Sequence, residues 1–447
     1  MDRIIQRYLN DRTFFQEWPL HGEAGGAVRS LIVIPCLSEH PGILDTLQDL
    51  AEADQAHATS VILVVNNRSD VVPEERHANT LTLKALTRWD QTTLRVAWVD
   101  ASSSGNELPA RQGVGMARKL GLDWGLRLLA EHGNLDVPLV CLDGDTRVDD
   151  NYLRAIHAFF DTPNRWSAVL PCAHQISGTR QERAAILCYE FFLRYHADHL
   201  AWAGSPYGYH VLGSAIACTA RAYAAVSGMN RRLAGEDFHF LQQLRKTGPV
   251  QLLSGTTVHP SGRTSHRTPF GTGRRVERFI HNPEDEYTLY APASYDAVRR
   301  WIDTIATDPK LPGETLLRTA QHIHPEVYRF LDEAGFSQVW DGLLKQTSHV
   351  DTLVNQFHQW FDGLRTLQLI HHLRDTTWPN ENMFNAIKIF MDRCGLDSVV
   401  EVNDDLREDL NAQEKLLQQL RVHSFQSNGE TTLKSGDETA GLRPPLD

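Results

Sequence analysis

The chain has 447 residues, of which 41% are hydrophobic and 22% are charged, and its formal net charge at pH 7 is −12. This length exceeds what a single hydrophobic core usually serves, so we expect two domains in a soluble globular protein of ordinary composition. The acidic balance argues against nucleic acid as a partner, because nucleic-acid-binding surfaces are basic.

The predicted compartment follows from features that the sequence lacks. The six cysteines form no Cys-x-x-Cys pair and show no zinc-ligand spacing, which fits a reducing environment. The first residues are mixed and charged, unlike a signal peptide, and no window has the ~18 to 20 apolar residues of a transmembrane helix. We therefore expect a cytoplasmic protein without a transmembrane segment, and peripheral contact with a membrane stays open.

Strand-like and helical patterns alternate along the first 145 residues. The predicted strands lie at 31–34, 61–65, 94–99 and 139–142. Helical spacing of apolar residues lies between them, most clearly at about 42–50 and 110–129. This alternation indicates βαβ units and a largely parallel sheet, in which ligands bind beyond the carboxyl ends of the strands. Residues just after each strand are therefore the first candidates for a functional site.

The second half of the chain is mainly helical. A long helical pattern covers about 178–202, and amphipathic helices dominate from about 282. One apolar stripe at helical spacing predicts helix core and comprises Leu353, Phe357, Trp360, Phe361, Leu364 and Leu367. The predicted organisation is an N-terminal helical extension (1–29), an α/β domain (30–281), a helical C-terminal domain (282–424) and a polar, disordered tail (425–447).

Two aspartates follow the strand predicted at 139–142, in the sequence Asp143-Gly144-Asp145. Aspartate and glycine are common in the turns that end strands, and Asp149 or Asp150 could cap the next helix. Alternatively, Asp143 and Asp145 hold a divalent cation, because Mg²⁺ is usually bound by one or two carboxylates together with substrate phosphates. This stretch by itself leaves both interpretations open.

Five segments stand out in their order and spacing: IVIPCLSEHPGILDTLQDLA, VILVVNNRSD, ARQGVGMARKLGLDWGL, LVCLDGDTRVDDNYL and GEDFHFLQQLRKTG. Together they resemble glycosyltransferase family 2, which comprises nucleotide-sugar transferases with the GT-A fold. The resemblance covers roughly residues 30–275. It implies that the α/β domain is a GT-A domain with a mostly parallel central sheet, and it favours the metal interpretation of Asp143 and Asp145.

By this resemblance, residues around the first two strands and before the D-x-D strand would bind the donor. The residues implied to contact the nucleoside or the diphosphate are Pro35, Leu37, Glu39, Asn66 or Asn67, and Arg111, with Arg118 as a second basic candidate. A plain turn explains the asparagines equally well, and a solvated helix face explains the arginines equally well.

The resemblance also implies a Mn²⁺ or Mg²⁺ ion bound by Asp145, with a UDP- or GDP-sugar as donor. Asp143 would contact the ribose or reach the metal through water. His259 is a candidate third ligand, although a lone histidine is more often structural. A divalent ion that bridges both phosphates would stabilise the leaving diphosphate as a Lewis acid.

The pair Glu236-Asp237 opens a predicted helix that ends at Gly248. In family 2, an acidic pair at a helix start supplies the catalytic base, here Asp237, which would take the proton from the acceptor hydroxyl in an inverting reaction. A helix N-terminus favours the ionised carboxylate, so we expect a base that is ready near neutral pH. The structural alternative is that both are ordinary acidic residues of a first helical turn.

Two loops are expected near the diphosphate and the acceptor. The basic stretch 261–275 could close over the diphosphate through Arg263 or Arg267, or it could be a solvated loop. The loop 204–213 could line the acceptor pocket, because aromatic faces suit sugar rings. Its aromatic candidates are Tyr207, Tyr209 and His210.

The sequence therefore predicts a soluble, metal-dependent, inverting glycosyltransferase that moves a sugar to a carbohydrate or other hydroxyl acceptor. Gly113-x-Gly115 is only half of a dinucleotide fingerprint, because Arg118 stands where the third glycine belongs, and a dehydrogenase is discounted. A retaining transferase of the same fold and a non-catalytic nucleotide-sugar-binding protein remain as alternatives. The helical C-terminal domain could position the acceptor or form a homodimer.

Overall fold

The computed structural model describes residues 3–264 and 271–430. Its strands are β1 (Leu20–Gly22), β2 (Ser30–Cys36), β3 (Thr59–Asn66), β4 (Arg95–Ala101), β5 (Pro138–Cys141), β6 (Arg147–Val148), β7 (Ser167–Val169), β8 (Ile216–Thr219), β9 (Val250–Leu252), β10 (Val258–His259), β11 (Thr288–Leu289) and β12 (Glu381–Asn382). Its α-helices in the first 290 residues are α1 (Arg3–Asp11), α2 (Gly42–Glu52), α3 (Pro73–Leu86), α4 (Val114–Glu131), α5 (Tyr152–Phe160), α6 (Arg180–Trp202), α7 (Ala220–Ala225), α8 (Glu236–Thr247), α9 (Thr272–His281) and α10 (Pro283–Glu286). The later helices are α11 (Pro292–Thr307), α12 (Gly313–Ile323), α13 (Pro325–Glu333), α14 (Phe336–Gln346), α15 (Val350–Trp360), α16 (Gly363–Thr376), α17 (Met383–Cys394) and α18 (Leu410–Glu430).

Eight strands form one central sheet in the order β1-β4-β3-β2-β5-β8-β7-β9. Neighbours among β4, β3, β2 and β5 are parallel, so their carboxyl ends lie at one edge of the sheet. Strand β8 runs antiparallel between β5 and β7, and β1 runs antiparallel to β4. The predicted α/β fold, with a mostly parallel central sheet and a helical C-terminal region, is confirmed. Strands β2 and β3 are buried along their whole length, which explains why both are continuous apolar runs in the sequence.

Helix α4 packs closely because glycines lie at its contacts. A Cβ at Gly121 would lie 2.3 Å from Val33 Cγ1, and one at Gly125 would lie 2.8 Å from leucine side chains of β2 and β5. A Cβ at Gly115 would lie 2.5 Å from a backbone oxygen of the segment 230–232. These glycines therefore serve helix packing, which accounts for them without a dinucleotide.

The helical C-terminal region shares one hydrophobic core with helix α6. Buried side chains of α6, among them Phe191 and Tyr195, belong to the same cluster as Trp301, Trp340 and Phe357 from α11, α14 and α15. Helix α9 also contributes buried side chains to this cluster. The core of the helical region therefore extends across the border predicted near residue 282.

The apolar stripe at 353–367 is divided between two helices. Helix α15 ends and α16 begins around Asp362, whose carboxylate accepts hydrogen bonds from Arg365 N at 3.1 Å and from Lys246 Nζ at 2.5 Å. A carboxylate at the N-cap satisfies backbone donors that a new helix leaves unpaired. Apolar spacing alone does not reveal such a break, because the apolar period continues on both sides of it.

The N-terminal stretch 1–29 is not entirely helical, because Leu20–Gly22 forms β1 at the edge of the sheet. Helix α1 docks on α4 through Tyr8. The Tyr8 hydroxyl donates to Asp123 Oδ1 at 2.6 Å and accepts from Lys119 Nζ at 2.7 Å. This buried polar network fixes the N-terminal helix against the α/β core.

The C-terminal helix α18 ends at Glu430, so residues 425–430 of the predicted tail belong to a helix. The remainder of that tail, 431–447, lies outside the described residues. Over the described ranges, no helix combines the length and the apolar character needed to cross a membrane.

Gly121→Ala should destabilise the fold, whereas Gly342→Ala in α14 should not. Alanine is intrinsically better than glycine inside a helix by about 1 kcal/mol, so both substitutions share this gain. A Cβ at Gly342 meets nothing within 4 Å, but one at Gly121 collides with Val33. We expect Gly121→Ala to lower the free energy of unfolding in urea by about 1–3 kcal/mol. Equal stabilisation by both substitutions would contradict the close packing of α4.

Candidate active site

A cavity of about 840 Å³ opens at the carboxyl edge of the parallel strands. Its walls include the loops after β2, β3 and β5, the first turn of α8 and the segment after β10. The predicted residues that line it are Pro35, Leu37, Glu39, Asn66, Asn67, Arg118, Asp143, Asp145, Glu236, Asp237 and Arg263. The fold thus brings the D-x-D segment and the Glu-Asp pair to one cavity, although about 90 residues separate them in the sequence.

The D-x-D segment follows directly on the end of β5. A Cβ at Gly144 would lie 2.9 Å from Glu39 Cγ, so glycine lets the Glu39 side chain pass beside the turn. The Thr46 hydroxyl donates to the carbonyl oxygen of Gly144 at 3.1 Å and holds the turn against α2. The turn therefore presents Asp143 and Asp145 to the cavity from a fixed backbone.

Arg118 joins the two acidic motifs. Its guanidinium donates hydrogen bonds to Asp143 Oδ1 and to Glu236 Oε1, and its side chain is only 4% exposed. A Cβ at Gly213 would lie 2.0 Å from Arg118 Nη2, so only glycine leaves room for the guanidinium at that position. Burial disfavours the charged guanidinium, but the negative charges of Asp143 and Glu236 outweigh burial and raise the pKa of Arg118.

Arg111, the first basic residue predicted near the diphosphate, does not line the cavity, whereas the second candidate, Arg118, does. Arg111 is exposed and is not among the residues that line the cavity, although its neighbours Gln112 and Gly113 are. Arg118 lies three residues after Gly115 and three before Gly121, on the face where α4 packs closely. The sequence signal for the buried position of Arg118 is a charged residue three positions from each of two glycines at close helix contacts.

Glu236 and Asp237 occupy the first turn of α8, after Gly235 with a φ of 70°. Burial raises the pKa of Glu236 from 4.5 to about 7, and the charge of Arg118 opposes this effect. Burial also raises the pKa of Asp237, although its carboxylate accepts a hydrogen bond from Phe238 N at 2.8 Å. The expected preference for ionised carboxylates at this helix N-terminus is therefore offset by their removal from water.

Arg263 reaches the cavity from the segment after β10. Its Nη2 lies 2.8 Å from Asp145 Oδ2, and it also donates a hydrogen bond to Glu39 Oε2. A cationic group is therefore already accommodated between Asp145 and Glu39. Arg267, the other basic candidate of this segment, lies outside the described residues.

The carboxylates of Asp145 and Glu39 fit a divalent ion, because Mg²⁺ and Mn²⁺ prefer oxygen ligands. The Arg263 guanidinium already occupies the place of a cation between them. Asp145 would be the direct ligand, with Asp143 and Glu39 beside it. Among residues 3–264 and 271–430, no group of three or more His, Cys, Asp or Glu side chains is arranged to hold a metal. A site with so few protein ligands takes its remaining oxygen atoms from substrate phosphates or water.

His259 is not brought to the aspartates. Its Nε2 lies 2.8 Å from Asp149 Oδ1, its Nδ1 lies 3.1 Å from the carbonyl oxygen of Ala173, and it does not line the cavity. Asp149 also accepts a hydrogen bond from Thr257 N at 2.9 Å, so it ties β10 to β6 and does not cap α5. The predicted third metal ligand is therefore placed in a His–Asp pair beside the cavity.

Asn66 and Asn67 are buried at the end of β3 and both line the cavity. Asn79 Nδ2 donates to the carbonyl oxygen of Asn66 at 3.1 Å and to Asn67 Oδ1 at 2.8 Å, and Asn79 Oδ1 accepts from Ser38 N at 2.8 Å. Asn79 thus links the loops after β2 and β3. Asn66 Oδ1 is buried and, among the described residues, has no hydrogen-bond partner.

The aromatic side chains of the loop 204–213 do not line the cavity. The Tyr207 hydroxyl donates to the carbonyl oxygen of His358 at 2.8 Å, and burial lowers the pKa of His210 to about 3, so that its ring stays neutral. Among the described residues, the aromatic side chain that lines the cavity is that of Tyr189 on α6. The helix shared with the C-terminal core therefore supplies the aromatic wall.

No family model matches the chain, and no curated protein matches it. Among solved structures, the chain is similar to TarS from S. aureus in complex with UDP-GlcNAc, at 15% identity and a TM-score of 0.38, with 89% of this chain and 92% of that chain covered. It is also similar to the mannosyltransferase PcManGT from Pyrobaculum calidifontis in complex with GDP-Man and Mn2+, at 13% identity and a TM-score of 0.36, with 94% and 92% covered. Glycosyltransferases are thus among the structures that this chain resembles, in line with its sequence segments.

Arg118→Met should lower the free energy of unfolding by about 3–5 kcal/mol, because it leaves the buried Glu236 carboxylate and the partly buried Asp143 carboxylate without their countercharge. Adding Glu236→Gln should restore part of this loss by removing the charge that Arg118 neutralises. Arg127→Met on the same helix is the control, since Arg127 pairs with Glu131 at the surface and should cost less than about 1 kcal/mol. Urea denaturation of five proteins (the parent, Arg118→Met, Glu236→Gln, the double variant and Arg127→Met) measures the coupling, and strictly additive losses would contradict it.

Glu236 should contribute a component of the folding stability that falls as the pH rises from about 4.5 to about 7, whereas buried neutral histidines such as His210 contribute in the opposite direction. The pKa of Glu236 is 4.5 in its ordinary state and about 7 in the fold, so over this window the folded chain binds a proton that the unfolded chain releases. The slope of this component should approach about 1.4 kcal/mol per pH unit, and it is read as the difference between the pH profiles of the parent and Glu236→Gln. In Glu236→Gln this component of the slope should disappear, and an unchanged pH profile of unfolding would refute the assignment.

Proposed function

We propose that the chain is a metal-dependent, inverting glycosyltransferase that moves a sugar from a nucleotide-sugar donor to a hydroxyl acceptor. The observation that carries this proposal is the meeting of two acidic motifs in one cavity, joined by the buried Arg118 guanidinium. One motif ends a parallel strand, where α/β sheets bind ligands, and the other opens helix α8.

In this proposal the donor lies along the loops that follow β2 and β3. The base and the ribose would rest against Pro35, Leu37 and Glu39, with the buried Asn66 and Asn67 facing the nucleoside. Mn²⁺ or Mg²⁺ held at Asp145, with Asp143 beside it, would neutralise charge on the diphosphate as that group leaves. Asp143 lines the cavity and is paired with Arg118 through Oδ1.

Asp237 would be the catalytic base. The acceptor oxygen attacks the anomeric carbon, the bond between that carbon and the diphosphate oxygen breaks, and the hydroxyl proton passes to the Asp237 carboxylate. Burial raises the pKa of Asp237, which makes its carboxylate a stronger base for this proton. The Arg118 guanidinium binds Glu236, the residue before Asp237. It would neutralise the charge of Glu236 and so keep the first turn of α8 in place.

The acceptor would enter between α8 and the wall formed by α6 and α9. Tyr189 and Thr272 line this side of the cavity, and Tyr189 offers an aromatic face of the kind that suits a sugar ring. Since α6 and α9 belong to the helical core, the C-terminal region would position the acceptor.

A thermal-shift screen with UDP, GDP and their sugars, with and without Mn²⁺, tests the donor site. A ligand at 100 times its dissociation constant stabilises the fold by about 2.7 kcal/mol, so the parent should show a shift that requires Mn²⁺ with one of the nucleotides. Asp145→Ala should lose this shift, and Asp136→Asn should keep it, because the Asp136 side chain is 85% exposed and lies outside the cavity. Absence of any nucleotide-dependent shift in the parent would refute the proposal.

Asp237→Asn should keep the nucleotide-dependent shift and lose transfer, by about 10²- to 10⁴-fold in kcat, because the amide cannot accept the proton. Transfer is measured as release of the nucleoside diphosphate, and the anomeric configuration of the product is determined by NMR. Retention of configuration would contradict the inverting reaction, and loss of donor binding in Asp237→Asn would contradict the assignment of Asp237 as the base.

A further inference from the structure

The cation between Glu39 and Asp145 is supplied by the chain itself. Arg263 Nη2 lies 2.8 Å from Asp145 Oδ2 and also binds Glu39, so one guanidinium pairs with two carboxylates of the donor cavity. Glu39 is 9% exposed and Asp145 28%, whereas Arg263 is 41% exposed. The carboxylates are thus set into the wall, and the arginine reaches them from the solvent side.

The backbone that carries Arg263 is anchored beside Asp145. The amide of Gln175 donates to the carbonyl oxygen of His259 at 2.7 Å and to that of Asp145 at 3.3 Å, and Gln175 N donates to the carbonyl oxygen of Pro260 at 3.0 Å. A Cβ at Gly262 would lie 2.9 Å from the carbonyl oxygen of Gln175, so this segment passes too closely for a side chain. These contacts fix the backbone that carries Arg263 at the mouth of the Asp145 site.

We propose that Arg263 is a resident counter-ion that keeps a divalent cation out of the Asp145 site until a nucleoside diphosphate brings one in. This inference rests on the proposed function and concerns the order in which its ligands bind. A hydrated cation that arrives alone must displace the guanidinium from both Glu39 and Asp145, and over the described residues no third His, Cys, Asp or Glu side chain is placed to complete its ligand set. A cation that arrives on a diphosphate can take Asp145, because the phosphates complete its ligand set.

The displaced guanidinium then has a partner. A planar guanidinium fork matches phosphate oxygen atoms as well as it matches carboxylates, so Arg263 can move from Glu39 and Asp145 to the diphosphate without losing its charged contacts. The charge of Arg263 is therefore compensated both before the diphosphate binds, by the carboxylates, and afterwards, by the phosphates. Arg118 cannot play this part, because it is buried between Asp143 and Glu236.

Arg263→Gln should have opposite effects on two ligands. Mn²⁺ alone, measured by the electron paramagnetic resonance of the unbound ion, should bind about tenfold more tightly than to the parent, because its competitor is gone. Mn²⁺ together with UDP or GDP, whichever binds the parent, should bind about tenfold more weakly by calorimetry, because a charge-assisted contact to phosphate is lost.

Arg274→Gln is the matched control, since Arg274 on α9 pairs with Glu277 at 2.7 Å, does not line the cavity and should change neither affinity. Adding Asp145→Ala to Arg263→Gln should abolish the gain in Mn²⁺ affinity, which would show that the additional Mn²⁺ binds at Asp145. A Mn²⁺ affinity in Arg263→Gln that equals or falls below that of the parent would overturn the inference, as would an unchanged affinity for the Mn²⁺–nucleotide pair. If neither nucleotide binds the parent, the proposed function fails, whereas the measurement with Mn²⁺ alone still decides whether Arg263 blocks the Asp145 site.

Discussion

The structure depends on the burial of one guanidinium. Arg118 is almost completely removed from water, and a buried charge is tolerated only when countercharges and hydrogen bonds compensate for its lost hydration. Its two partners come from different parts of the chain, Asp143 at the end of β5 and Glu236 at the start of α8. Helix α4 must therefore lie close enough to both, and the glycines at 121, 125 and 213 make that approach sterically feasible. The sheet, α4 and α8 are in this way fixed around one charge.

The same constraint divides the two aspartates of the D-x-D turn into different roles. Asp143 is paired with Arg118, whose side chain is only 4% exposed. Asp145 is paired with Arg263, which approaches from the cavity mouth and is 41% exposed. An ion pair with a buried arginine is costly to break, whereas one with a partly exposed arginine exchanges more easily with water and ions. One carboxylate is therefore part of the framework, and the other is available for a ligand.

The helical C-terminal region is joined to the cavity through α6. Next to Tyr189, the fully buried Glu190 accepts hydrogen bonds from Arg194 at 2.9 Å, from Arg421 of α18 at 2.7 Å and from His174 N at 2.9 Å. Burial opposes the charge on Glu190, but these arginines outweigh it and hold the pKa of Glu190 well below its usual value. The last described helix therefore supports the wall that faces the proposed acceptor.

The sequence by itself determined the features that depend on neighbours along the chain. The strands β2 to β5, the helices α2, α4, α6 and α8, and the position of Asp143 and Asp145 after a buried strand follow from apolar periodicity and turn residues, which are local properties. The tertiary structure alone decided which charges meet. Arg118, and not Arg111, lines the cavity, His259 is paired with Asp149, and Arg263 reaches Glu39 across 224 residues. Such pairs depend on how close the elements pack and which side chains become buried together, and no local period in the sequence encodes either.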